Sequence, residues 1–154
     1  MGGTDLKPAD GVLCGSAHHF PLRVYFEDTD VAGIVYYANY LRYMERARSD
    51  LLAQIGVDQR ATLEAGVGVY AVADVSIRYK ASARLADDLV VVTRVDAVRA
   101  ASVLIHQQVM RAGEVLTDAT VTAAFLTPEG RPRRQPREWV EKFERFQGKD
   151  RSGE

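Results

Sequence analysis

The sequence predicts one α+β domain in which a curved antiparallel β-sheet wraps a single long central α-helix. Three observations carry this. Between Tyr37 and Ile55 the apolar residues Tyr40, Leu41, Met44, Ala47, Leu51, Leu52 and Ile55 recur at intervals of three and four, which draws one stripe down a helix. From Val69 to Leu126 the pattern switches to period two, in successive valine-rich segments. Short turn sequences separate those segments, so the strands are expected to pair in order as an antiparallel meander. The apolar face of such a sheet needs a cover, and the long helix is the one element large enough to provide it.

Taken in order, residues 1–17 hold four glycines and no sustained period, and read as a flexible tail. The domain proper is expected over residues 18–147. Phe20 to Phe26 reads as a first strand, followed by the polar turn Glu27 to Asp30 and by Gly33. Gly56 stops the long helix. Asp58 then caps a shorter helix, Gln59 to Glu64, which Gly66 ends. In the next strand Val69, Ala71, Ala73, Val75, Ile77 and Tyr79 are expected to form one wholly apolar face. Strands follow over Leu89–Val98, Ser102–Arg111 and Val115–Leu126, with Ala112-Gly113-Glu114 as a hairpin turn. Pro136 opens a last helix whose apolar side is Trp139, Val140, Phe143 and Phe146. Residues 148–154 read as a frayed tail. There is no internal repeat and no sign of a second domain.

Composition narrows the function. The 154 residues suit one domain, and 20 basic residues nearly cancel 21 acidic ones. No global field therefore draws the chain to nucleic acid or to an anionic membrane, and clustered basic residues with exposed aromatics are not seen. No apolar run approaches the roughly 20 residues that span a bilayer. Met1 to Ser16 lack the pattern of a signal peptide, so a cytoplasmic location is expected. Cys14 stands alone, which argues against a disulfide, a structural zinc site or a redox pair. His18 and His19 have no further ligands at suitable spacing and are expected at a surface or strand edge. His106 reads as a satisfied sheet residue. Glu45 is placed to pair with Arg48 or Arg42 on the helix. No metal and no cofactor is implied.

Chemistry concentrates in Glu27 to Tyr40, where carboxylates, a glycine and several tyrosines meet at a strand-to-helix junction. A helix start presents unpaired N–H groups and the positive end of the helix dipole. Such donors suit an oxygen that gains negative charge in acyl transfer. A carboxylate held just before them can act as nucleophile or general base. On these residues alone, Asp28 and Asp30 read first as ordinary turn and cap residues, because Asp before a helix is common.

The stretch Arg23-Val-Tyr-Phe-Glu-Asp-Thr-Asp-Val-Ala-Gly-Ile-Val-Tyr-Tyr-Ala-Asn-Tyr resembles the signature of the 4-hydroxybenzoyl-CoA thioesterase family. Within it the segment is most similar to the branch of acyl-CoA thioesterases encoded beside the Tol-Pal envelope system of Gram-negative bacteria. The similarity continues through Glu45-Arg46-Ala47-Arg48 and again from Tyr79-Lys80 to Asp87-Asp88, and covers roughly Phe20 to Phe143. The resemblance implies a hot-dog fold and hydrolysis of an acyl-CoA thioester. By position, Asp30 matches the family's catalytic aspartate, the backbone N–H near Tyr37 its carbonyl-polarising donor, and Gly33 the glycine that lets the chain turn close to the thioester. Val35, Tyr36 and Tyr40 are candidate acyl-site residues. Lys80 and Arg84 are candidate binders of the coenzyme A phosphates, in rivalry with the run Arg131, Arg133, Arg134 and Arg137. Many members of the Tol-Pal branch carry histidine where this chain has Tyr37, so a histidine base is not available here. The resemblance also implies a homodimer or homotetramer with active sites at dimer interfaces, and an acyl carrier protein is a further candidate partner.

Two rivals stand against hydrolysis. A non-catalytic acyl-carrier or envelope-complex partner with the same fold has no use for a carboxylate beside a thioester. A dehydratase of the same fold usually pairs histidine with a carboxylate, and the helix start here has no histidine.

Overall fold

The computed structural model describes residues 3–148. Its elements are β1 (Val12–Cys14), β2 (Ala17–Arg23), α1 (Asn39–Gln54), α2 (Gln59–Glu64), β3 (Val69–Tyr79), β4 (Asp88–Val98), β5 (Ser102–Arg111), β6 (Glu114–Leu126) and α3 (Arg137–Gln147), with short 3-10 turns at Gly3–Asp5 and Phe26–Asp28. The strands form one six-stranded antiparallel sheet in the order β1-β2-β4-β5-β6-β3. One face of α1, carrying Tyr40, Tyr43, Met44, Ala47, Leu51 and Leu52, is buried against the inner face of this sheet. There it meets Val91, Ile105, Val109, Val121 and their neighbours. Burying a leucine such as Leu51 fully stabilises the fold by about 1.5–3 kcal/mol. Among the described residues, no helix is long and apolar enough to cross a membrane.

The helix, its Gly56 stop and the Asp58 cap stand as expected, with the Asp58 carboxylate accepting from the Ala61 N–H at 3.0 Å. Three expectations need correction. First, the strands do not pair simply in order. The meander runs through β4, β5 and β6, while β3 crosses to the far edge and pairs with β6. Its link to β4 is not a hairpin. It passes along the start of α1, where the Val35 N–H donates to the Ala83 carbonyl at 2.9 Å. Second, β3 has no uniform face. Its register shifts between Val72 and Asp74, so Ala73 is bulged. The inward set is Tyr70 and Val72 before the bulge and Val75, Ile77 and Tyr79 after it, opposite Phe125, Ala123, Val121, Ala119 and Thr117. One extra residue exchanges the two faces of a strand.

Third, residues 1–17 are not wholly a tail, and the first long strand starts and ends earlier than Phe20–Phe26. Val12–Cys14 pairs with Ala17–His19, and β2 pairs with β4. His18, expected at the surface, is fully buried on the inner side, and its Nε2 lies 2.6 Å from Asp50 Oδ2 on α1. The same oxygen accepts from the Gly11 N–H at 3.0 Å and from Gln54 Nε2 at 2.8 Å. His18 Nδ1 has no hydrogen-bond partner among the described residues. The cause is tertiary, because Asp50 lies far along the chain and turns an otherwise solvated segment into a strap across the helix. Residues beyond Gly148, expected as a frayed tail, lie outside the described residues.

Gly11 is required where it stands. A Cβ there would lie 2.6 Å from both Asp50 Oδ2 and His18 Nε2 and 2.7 Å from the His19 carbonyl oxygen. Gly11→Ala is expected to destabilise the fold by about 1–3 kcal/mol, read as a lower urea midpoint. An unchanged midpoint would show that the strap contributes nothing.

Candidate active site

The chain between β2 and α1 is a loop held by its own backbone. Asp30 closes it, for its N–H donates to the Ile34 carbonyl at 2.8 Å and its carbonyl accepts from the Gly33 N–H at 3.0 Å. One carboxylate oxygen, Oδ1, accepts from the Ala32 N–H at 2.8 Å and more distantly from the Ile34 N–H at 3.4 Å. The other oxygen has no donor among the described residues and the side chain is exposed. Asp30 thus serves its turn through one oxygen and keeps the other free. Gly33 has φ +80°, the left-handed region that a side chain resists. The loop is then stitched to the rest, as the Tyr36 N–H and the Asn39 side-chain amide both donate to the Asp28 carbonyl at 2.9 Å.

At the start of α1 the Asn39, Tyr40 and Leu41 N–H groups turn back to the carbonyls of Tyr36, Tyr37 and Ala38. The Tyr37 N–H has no acceptor among the described residues. It is an orphan donor at a helix start, of the kind that suits an anionic oxygen.

Asp30, Val35, Tyr36, Tyr37, Tyr40 and Lys80 all line one open cleft of about 390 Å³, together with Ile34, Tyr79, Ala81 and Ser82. Two of the expected site residues are not on its wall. Gly33 acts behind it, through the turn. Arg84 sits across from Ile34 in an isolated antiparallel bridge. Tyr79 is the residue the sequence did not mark. Its hydroxyl donates to the Tyr37 carbonyl at 3.2 Å, and its ring packs edge-on against Tyr37 and Tyr40 at 6.0 and 5.7 Å. The alternation places Tyr79 on the apolar face, where it stands, but its contact with Tyr37 lies far off in the chain and leaves no local mark. Tyr40 is 2% exposed, and its hydroxyl oxygen accepts from the Ala83 N–H at 2.9 Å. Burial raises the Tyr40 hydroxyl above its ordinary range, and it raises Tyr79 likewise, so both stay protonated.

The other candidates lie elsewhere. His106 Nε2 is 2.6 Å from Asp118 Oδ1 on the sheet, a satisfied pair as expected. Glu45 forms no ion pair among the described residues, against expectation. Arg48 instead turns under the sheet and donates to Gln107 Oε1 at 2.9 Å. Arg133, in the basic run, donates to the Val67 carbonyl at 2.7 Å.

The family profile of the thioesterase-like superfamily matches residues 24–144. The chain belongs to that superfamily. This places it among thioester hydrolases with the hot-dog fold. It is 42% identical over 107 residues to the acyl-CoA thioesterase YbgC of Haemophilus influenzae, covering 70% of this chain and 79% of that protein. It is 34% identical over 126 residues to the acyl-CoA thioester hydrolase YbgC of Escherichia coli O157:H7, covering 80% and 93%. Among solved structures, a probable thioesterase from Bartonella henselae superposes with a TM-score of 0.74 at 33% identity, covering 78% of this chain and 99% of that one. The 4-hydroxybenzoyl-CoA thioesterase of a Pseudomonas species shares the fold, with a TM-score of 0.75 at 22% identity over 82% and 98%.

Beside the cleft of this thioesterase-superfamily chain, the loop from Ser82 to Asp87 is fastened by Arg111, which donates to the Ser82 carbonyl at 3.1 Å and to Asp87 Oδ2 at 2.9 Å. The Asp87 carboxyl is held below its ordinary range, first by the Arg84 N–H and then, against a burial penalty, by Arg111. A depressed folded value means that the stabilisation is fully present above the unfolded value of about 4. It is lost as pH falls through the folded value. Asp87→Asn should therefore lower stability at neutral pH and flatten the acid limb of a stability–pH profile below about pH 4. An acid limb as steep as the parent's would place the titration elsewhere.

Proposed function

We propose that this chain hydrolyses an acyl-CoA thioester to the free acid and coenzyme A. The observation that carries the reading is the pairing, on one cleft, of a carboxylate with a free oxygen and a helix start with an orphan N–H. The thioester carbonyl carbon lies between them. Asp30 either adds to that carbon, giving a mixed anhydride and releasing the thiolate, or takes a proton from water so that hydroxide adds. The carbonyl oxygen becomes negative in both routes and is held by the Tyr37 N–H. The thiolate leaves and is protonated to the free thiol. In the first route water then cleaves the anhydride and restores Asp30. No imidazole is needed in either.

Gly33 lets the loop approach the substrate, and Val35, Tyr36 and Tyr40 contact the acyl group. Lys80, at the rim, faces the coenzyme A phosphates, and Arg84 supports it from outside the cleft wall. The identity to the YbgC proteins supports the substrate class. The acyl group is left to a panel of short, long and aromatic acyl-CoA thioesters, with an acyl carrier protein thioester beside them, assayed for released thiol. An unpaired Cys14 suits a reducing cytoplasm, where we place the reaction. The chain is also inferred to assemble from at least two copies, because β3 is a sheet edge whose inward residues Val72, Val75 and Tyr79 remain exposed.

Asp30→Asn is expected to fold as the parent does and to lose about 10²–10⁴-fold in kcat. Unchanged turnover by the folded variant would overturn the mechanism. Tyr37→Phe should keep most of its activity, since the role falls on the backbone. Single turnover in oxygen-18 water separates the two routes, with label entering Asp30 only if the anhydride forms.

A further inference from the structure

Two buried tyrosines of α1 stand behind the cleft. The Tyr40 hydroxyl oxygen accepts from the Ala83 N–H and so fastens the wall that carries Ala81 and Ser82. Tyr43 packs edge-on against Tyr40, with ring centres 6.0 Å apart, and is 1% exposed. Its hydroxyl has no hydrogen-bond partner among the described residues. A buried hydroxyl left unpaired is costly, and a core that needed only volume at this place would be served by phenylalanine. The charged group beside that hydroxyl is the Asp28 carboxylate. Burial first, and this carboxylate second, push Tyr43 well above its ordinary range, so the hydroxyl keeps its proton and remains a donor.

The helix reaches Asp28 a second time. Asn39 lies four residues before Tyr43, hence on the same face of α1, and its amide donates to the Asp28 carbonyl at 2.9 Å. Two side chains of one helix face therefore converge on one residue. Asp28 is in turn the foot of the site loop. Its carbonyl also accepts from the Tyr36 N–H, Thr29 bridges to Val35, and the Asp30 N–H donates to the Ile34 carbonyl. The two arms of the loop thus form a short ladder, with Asp30 on one arm and the residue before Tyr37 on the other. The carboxylate of Asp28 is only half used. Its Oδ2 accepts from the Tyr25 N–H at 2.9 Å, and its Oδ1 has no donor among the described residues. A free acceptor at the foot of the ladder thus lies beside a free donor in the core.

We propose that Tyr43 is a positioning residue for the hydrolysis proposed above: its hydroxyl donates to the Asp28 carboxylate as substrate seats the loop, and so holds Asp30 and the Tyr37 N–H at one fixed separation. The role rests on that activity. Tyr43 is sealed in the core and acts through Asp28, without touching the substrate. Small misplacements of a reacting group cost rate more than binding, so the loss of this link falls on kcat.

The test removes one oxygen and keeps the ring. The parent, Tyr43→Phe, Asp28→Asn and the double variant are assayed for thiol released from butyryl-, palmitoyl- and benzoyl-CoA, and the urea midpoint of each is measured alongside. Tyr43→Phe is expected to keep the parent's midpoint or exceed it, since an unpaired hydroxyl is gone. It should lose roughly ten-fold in kcat with KM little changed. The double variant should lose no more than Asp28→Asn alone, because the two side chains act as one unit. A residue that only fills the core would move the midpoint and leave kcat in place. Parental kcat in Tyr43→Phe would overturn the positioning role, as would losses that multiply in the double variant. Tyr43→Phe decides alone if Asp28→Asn does not fold. A parent that releases no thiol from any of the three would overturn the activity and this role together, whereas an active parent isolates the role of Tyr43.

Discussion

The apolar face of α1, from Tyr40 to Leu52, is the surface over which the sheet is curved, and the rest of the molecule takes its position from that contact. Strands β4, β5 and β6 supply the other half of the core with Val91, Ile105, Val109 and Val121. In the middle of this interface sits a fully buried amide, Gln107, whose donors are taken by the Met44 carbonyl and by Thr93, itself fully buried, and whose acceptor is taken by Arg48. A half-satisfied amide there would cost more than an apolar residue in its place. The group therefore selects one seating of the helix on the sheet among the many that hydrophobicity alone allows.

That seating fixes where the helix begins, and so where chemistry is possible. The first turn of α1 emerges beside the end of β3 and the loop after it, and hydrogen bonds from Ala83 to Tyr40 and from Tyr79 to Tyr37 join the three segments. The turn at Asp30 is built from local backbone contacts, but its distance from the helix start depends on those joints. A cleft that opens near a carboxylate and an orphan N–H is thus a product of core packing as well as of loop sequence.

Much of this was legible beforehand because it depends on neighbours in the chain. The stripe on α1, the Asp58 cap, the hairpin at Gly113 and the concentration of polar and aromatic residues from Glu27 to Tyr40 all follow from local periodicity or turn chemistry. What escaped depends on partners distant in sequence. The crossing of β3 to β6, the burial of His18 against Asp50 and the capture of Arg48 by Gln107 involve separations of tens of residues that leave no local trace. Tyr79 escaped for the same reason. Its place on the apolar face of β3 was plain, but its contact with Tyr37 joins residues far apart in the chain.

That bulge sets the phase of an entire edge. On an unbroken β3, the side facing the helix after Val72 would carry Asp74, Ser76 and Arg78, and Tyr79 would point away from Tyr37. Ala73 absorbs one step of the alternation, so the polar residues turn outward and the tyrosine turns in. Were Ala73 to pair as an ordinary residue of the ladder, with no change in residue type anywhere in the cleft, a guanidinium would take the place of the ring at its wall. The chemistry at one end of the strand is therefore tuned by spacing at its centre, and a small, chemically plain residue does the tuning.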